Sequence, residues 1–181
     1  MVHTGGGLAL VDFLLALFPP EASPAFLILA LTATWQTLAF AVAGITLAVL
    51  LGLPLGVIAS GISVPGSSGR SGRPWIIAAR LLLAAMRAIH ELVWAVLFVT
   101  AFGLSPLAAI LAIALPYGGI LGRIYADLIN DVPDPPLQAL RAAGASPLRV
   151  LIYGRLPMAL PDLISYTFYR FECAIRAAAI M

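Results

Sequence analysis

Between Ala22 and Gly69 the chain carries no charged side chain. Inside that interval, Pro24 to Ser60 is built almost wholly from Ala, Leu, Val, Ile, Phe and Gly. About 20 apolar residues cross a bilayer, so this run reads as one long, tilted membrane helix. Thr32, Thr34, Gln36 and Thr37 near its start are mild polar marks, and hydroxyls at such positions can bond back to backbone carbonyls. The whole chain agrees with this reading. Only 10% of its residues are charged and 62% are hydrophobic, whereas an ordinary soluble domain is ~25% charged. A water-soluble globule is excluded, and so is a disordered chain.

A second uncharged stretch runs from Leu92 to Gly122. As one helix it would be about 46 Å long at ~1.5 Å per residue, too long for a single span. Gly103-Leu104-Ser105-Pro106 breaks it, because Gly ends helices and Pro opens them. Two spans are therefore predicted, Pro74–Phe102 and Pro106–Tyr125. The first must accommodate Arg80, Arg87 and Glu91, whose spacing places them on one helical face. Each would cost roughly 2.5–3.5 kcal/mol at mid-bilayer, so that face should turn toward protein or water. A last candidate, Ala159–Met181, is interrupted by Asp162, Arg170, Glu172 and Arg176.

The arginines set the orientation. Arg70 and Arg73 lie in the Gly- and Ser-rich loop Gly61–Arg73, and Arg123, Arg141, Arg149 and Arg155 lie in Arg123–Arg155. The positive-inside rule makes both segments cytoplasmic, and four spans then put both ends outside. The apolar run Leu8–Phe18 is too short to span. It has no basic residue before it and holds Asp12, so it reads as an interfacial helix stopped by Pro19-Pro20 rather than as a signal peptide.

Several chemistries are closed off. All ten basic residues are Arg, which removes a P-loop lysine, a Schiff-base lysine and a Ser–Lys dyad. Cys173 is the single cysteine and only His3 and His90 are histidines, so a metal site lacks ligands, and no cofactor is expected. The net charge of +2 gives no case for a nucleic-acid partner. Gly66–Gly72 lacks a preceding strand and a closing Lys, and reads as a flexible linker.

One polar segment, residues 133–157, is densely punctuated. Asp134 can cap a helix with Pro135 at its first position, and Gly144 suits the left-handed residue past its end. Ser146 and Pro147 can open a second helix that Pro157 closes. Leu137, Leu140, Leu148, Leu151 and Ile152 supply apolar faces, while Arg141, Arg149 and Arg155 stay wet. The segment is thus a small rigid knob, or an ordinary helical connector.

Gln138-Ala139-Leu140-Arg141-Ala142-Ala143-Gly144, followed nine residues later by Gly154-Arg155-Leu156-Pro157, resembles the EAA loop of binding-protein-dependent ABC importer permeases. Ala139, Gly144, Leu156 and Pro157 match that pattern by identity; Gln138 stands for Glu, Leu140 for the second Ala, and Gly154 for Ile. In that family the loop docks on the ATP-hydrolysing subunit, which would give Gln138, Ala139, Ala142, Ala143, Gly144, Leu156 and Pro157 a coupling role.

Within the family the likeness is closest to phosphonate transport permeases. Gln36-Thr37-Leu38 lies where they have Glu-Thr-Leu. Arg87-Ala88-Ile89-His90-Glu91-Leu92-Val93-Trp94 resembles their Arg-x-Ile-Pro-Glu-Leu-x-Trp segment, with His90 where Pro is usual. Tyr166 to Glu172, followed by Arg176-Ala177-Ala178, resembles their span after the loop.

The resemblance implies an all-α integral membrane protein, part of the MetI-like permease fold, with one transmembrane permease domain over residues 1–181 that looks truncated at each end. It implies a non-enzymatic, multi-pass subunit of the bacterial inner membrane. Its partners would be an ATP-binding ABC subunit, an extracytoplasmic solute-binding protein and a second permease copy. The substrate would be phosphonate or a related phosphorus oxyanion, and Arg87, Glu91, Glu172 and Arg176 are substrate-path candidates. Arg87 with Glu91, and Glu172 with Arg176, also have the spacing of plain helix ion pairs. Three other readings stay open: a permease for an amino acid or osmolyte, an intramembrane enzyme using His90 and Glu91, and a degenerate product that cannot transport.

Overall fold

A computed structural model of the chain describes residues 11–15, 23–62 and 73–180, and every regular element among them is helical. The chain divides into two compact units, residues 1–36 and 37–181.

In the first unit residues 11–15 are helical; the rest of the expected interfacial helix Leu8–Phe18 lies outside the described residues. Helix α1 (Pro24–Ser60) begins in this unit. Its polar marks are satisfied locally. Thr32 Oγ1 donates to the carbonyls of Ile28 and Leu29 at 3.0 and 2.8 Å, and Thr34 Oγ1 donates to that of Ala30 at 2.8 Å.

The second unit holds the remainder of α1, then α2 (Arg73–Ala88), α3 (Glu91–Phe102), α4 (Pro106–Asn130), α5 (Asp134–Ala142), the single turn α6 (Pro147–Val150), a π-helical turn (Leu151–Arg155) and α7 (Leu156–Ala178). The loop Gly61–Arg73 lies almost wholly outside the described residues. Helix α4 is the axis of this unit, and α2, α3 and α7 each pack along it. It starts as its sequence predicts: Gly103 is left-handed at φ +74°, and the Ser105 hydroxyl accepts from the Ala108 N–H ahead of Pro106. It runs past the expected end at Tyr125 to Asn130.

Glycines let α1 and α4 touch backbone to backbone. A Cβ on Gly52 would stand 2.8 Å from the Gly118 carbonyl oxygen, and one on Gly56 would stand 2.6 Å from that of Gly122. Hydrocarbon gives apolar helices no hydrophobic reason to associate, so small residues that maximise van der Waals contact do that work in membranes. The buried Ala41, Ile45, Ala48, Ile113, Tyr117 and Leu121 complete the seam.

Two helices, α1 and α4, are long and apolar enough to cross a membrane. The expected single span Pro74–Phe102 is instead bent by 87° between Ala88 and Glu91. No Gly or Pro causes this. His90 takes an extended backbone (φ −64°, ψ 145°), and its Nδ1 accepts from the Leu92 N–H at 3.3 Å, so it caps α3 as a new helix. With the Glu91 carboxylate in the first turn, the α3 amino end is also favoured electrostatically. The bend separates Arg87 from Glu91, and among the described residues no ion pair joins them. Arg80 and Arg87 stay seven apart on the unbroken α2, and the Arg80 Nε donates at 3.0 Å to the Ala59 carbonyl at the carboxyl end of α1, so this side chain turns toward protein as expected.

Candidate functional site

The segment after α4 folds as a hairpin whose first half matches its sequence. Gly144 is left-handed at φ +81°. The Ala145 N–H bonds back to the Leu140 carbonyl and the Gly144 N–H to that of Arg141, which is the Schellman closure of a helix. The amino end differs from expectation. Pro133 occupies the cap position and Asp134 is already helical, so its carboxylate makes no capping bond. It is instead 3.6 Å from an Arg155 Nη.

The second half differs more. Ser146 precedes α6 but caps it with no side-chain bond. The helix then widens into the π turn and continues without a break into α7, where Pro157 sits in the first turn rather than closing anything. Pro157 thus lies inside a continuous helical run, at the point where the π turn gives way to α-helix, and π-bulges are among the places where a helix departs from the regular ladder. The second half of the hairpin is therefore an extension of α7 itself.

Arg155, expected to be wet, is buried at 8% exposure. One Nη donates at 3.0 Å to the Ile129 carbonyl at the end of α4, while the other faces Asp134 of α5. A cation is favoured at a helix carboxyl terminus, and here it ties α4, α5 and the π turn together. Gly154, beside it, lies under α5. A Cβ there would stand 2.8 Å from Leu137 Cδ2 and 2.9 Å from Leu140 Cδ1. Two departures from the family pattern are thus one exchange of volume, a larger residue at Leu140 filling the room left at Gly154.

What α5 leaves open is a face of small groups. Leu137 is buried against the π turn and Leu140 is half-buried, whereas Gln138, Ala139, Arg141, Ala142 and Ala143 are exposed. Leu156 and Pro157 lie at the other end of the hairpin, at the root of α7.

The intramembrane candidates do not converge. Arg87 is exposed on α2, and Glu91 is partly buried with His90 Nε2 at 3.9 Å. Glu172 and Arg176 pair with each other on an exposed turn of α7. The polar groups that do face a neighbouring helix are others. Thr167 Oγ1 donates to the Leu163 carbonyl, so the 2.5 Å contact with Tyr125 is a hydrogen bond donated by the phenol, linking α4 to α7. One turn on, Arg170 Nε and Nη2 donate to the Tyr166 hydroxyl at 3.0 and 2.7 Å. Its guanidinium lies 5.3 Å and 5.5 Å from the centres of the Tyr166 and Tyr169 rings. Tyr166 and Arg170 are four apart, and that spacing was the readable signal for this cluster.

The family of binding-protein-dependent transport system inner membrane components matches residues 52–181. The chain belongs to this family. As a member it is similar to the phosphite transport system permease protein PtxC of Stutzerimonas stutzeri, 35% identical over 81% of this chain and 51% of that one. The putative phosphite transport system permease HtxC of the same organism is 32% identical over 98% of this chain and 60% of its own length. The phosphate-import permease PhnE of Mycolicibacterium smegmatis is 30% identical over 83% of this chain and 27% of its own. The chain thus spans about half the length of the first two relatives, and these relatives are transport permeases. The inward-facing MetNI methionine ABC transporter shares the fold with a TM-score of 0.75 at 21% identity, over 87% of this chain and 75% of that one. The protein is a helical membrane protein with part of the MetI-like permease fold.

Proposed function

We propose that this chain is the membrane-spanning permease part of an ATP-driven importer in the bacterial inner membrane, and that residues 133–157 are the handle on which a separate ATPase subunit pulls. The observation that carries this reading is the hairpin. Its inner face is spent on holding α4 and α7, and its outer face of Gln138, Ala139, Arg141, Ala142 and Ala143 is exposed among the described residues, with the three alanines leaving room for a partner's groove. Because the hairpin continues into α7 and is clasped to α4 through Arg155, a displacement of α5 reaches both helices without an intervening flexible joint.

The substrate class supported by the phosphite and phosphate permease relatives is a phosphorus oxyanion, delivered by an extracytoplasmic binding protein to a pair of permease copies. An amino-acid permease is the second reading, favoured by the D-methionine transport system permease MetI of Salmonella typhi, 29% identical over 79% of this chain. Competition between labelled phosphite and methionine in an uptake assay separates the two. An enzyme built on His90 and Glu91 fits less well, because His90 Nδ1 is already engaged as the cap of α3.

The coupling role is tested by Ala142→Trp. An exposed residue without neighbours tolerates such a change within about 0.5 kcal/mol, so the chain should fold and insert normally. Co-purification with its cognate ATP-binding subunit should fall more than tenfold, and uptake with it. Normal co-purification and uptake in this variant would overturn the reading.

A further inference from the structure

We infer that Arg170, oriented by Tyr166, is a binding site for a phosphorus oxyanion inside the membrane-spanning part of the chain. This rests on the proposed import function for its ligand class, and on the following geometry for its place.

Depth comes first. Leu156 follows Arg155, the last arginine of the polar hairpin, and begins α7. At ~1.5 Å per residue, Arg170 lies about 21 Å along that helix, within a hydrocarbon core ~30 Å thick. Arg176 is about 30 Å along by the same measure, at the far boundary, and is neutralised by Glu172. Among the described residues Arg170 has no carboxylate within ion-pair distance. An unpaired cation inside a span marks a functional position by default.

The arrangement of its donors points the same way. Tyr166 takes Nε and one N–H of Nη2, and the Tyr166 and Tyr169 rings lie 5.3 and 5.5 Å from the guanidinium carbon. One N–H of Nη1 and the second N–H of Nη2 form the end edge, and among the described residues no hydrogen bond engages it. A planar fork with its free edge held in place matches two oxygens of a tetrahedral oxyanion better than a flexible ammonium would.

The test uses the full chain in dodecyl maltoside, which carries no phosphate, with phosphite and methylphosphonate as probes followed by 31P line broadening. Saturable broadening is expected. It should weaken at least tenfold in Arg170→Gln, recover in part in Arg170→Lys, and weaken in Tyr166→Phe, which keeps the ring and removes the orienting hydroxyl. Arg123→Gln, which loses a charge from an exposed pair with Asp127, should bind as the parent does. Equal binding in Arg170→Gln overturns the inference, and so does a parent chain that broadens neither probe. A response confined to lipid phosphate in phosphatidylcholine nanodiscs, with none to free oxyanion, also overturns it. Uptake in the assembled transporter distinguishes this from failure of the import reading. Oxyanion import that survives Arg170→Gln sinks the site alone, whereas binding without any import sinks the transport role and leaves the site standing.

Discussion

At the scale of single residues, the packing of Gly154 against Leu140 carries a prediction that ordinary substitution rules would miss. Gly154→Ile alone should destabilise the hairpin by about 1–3 kcal/mol through overpacking, since the fully buried Leu137 cannot yield. Leu140→Ala alone should cost about 2 kcal/mol by opening a cavity in a half-buried site. The double variant should recover most of both losses. Thermal unfolding of the four proteins in detergent gives the double-mutant cycle, and strictly additive losses would show that the two positions do not share volume. The motif around them was readable because Gly144 and the prolines act through local backbone geometry. The exchange between Leu140 and Gly154 was not, because it depends on a contact between α5 and a π turn that no local pattern announces.

At the scale of elements, the unanticipated parts are joints. His90 makes the bend between α2 and α3 by capping rather than by lacking an N–H, so a search for Gly and Pro passes over it. Arg155 joins the end of α4 to the start of α5 from within the π turn. Arg155→Gln should weaken the Ile129 contact and release Asp134, costing about 1.5–3 kcal/mol as a charged hydrogen bond is lost. The loss should be local. Hydrogen exchange should speed up in residues 129–145 while the middle of α4 stays protected, and uniform protection in the variant would show that the clasp holds nothing. Arg155 was read as solvated because arginines between spans usually are; its burial follows from the carboxyl end of α4 arriving beside it.

At the scale of the whole molecule, the prediction concerns sidedness. With Cys173 replaced by Ala, a cysteine at Ala142 should react with a membrane-impermeant maleimide only in inside-out vesicles, and one at Leu104 only in right-side-out vesicles. Leu104 is 94% exposed in the turn between α3 and α4, so access there reports topology rather than burial. The opposite pattern would invert the orientation and remove the hairpin from any cytoplasmic ATPase. Helix α7 belongs to this scale as well. It has 23 residues, the length of a span, but Asp162, Arg170, Glu172 and Arg176 keep it out of the helices apolar enough to cross by composition. The Arg155 bond to Ile129 and the Tyr125 bond to Thr167 follow each other in opposite chain directions along α4 and the run that leads into α7.

Hydropathy, length and the placement of Gly and Pro are properties of neighbours in the chain. They were enough to make this an all-helical membrane protein, to break it at Gly103–Pro106, and to mark the segment around Gly144. The partners of its charges are properties of neighbours in space. Whether Arg87 meets Glu91, whether Arg155 is wet, and which arginine within a span keeps an open edge all depend on how helices bend and where their ends meet. In a low-dielectric interior those meetings outweigh any preference written in spacing alone.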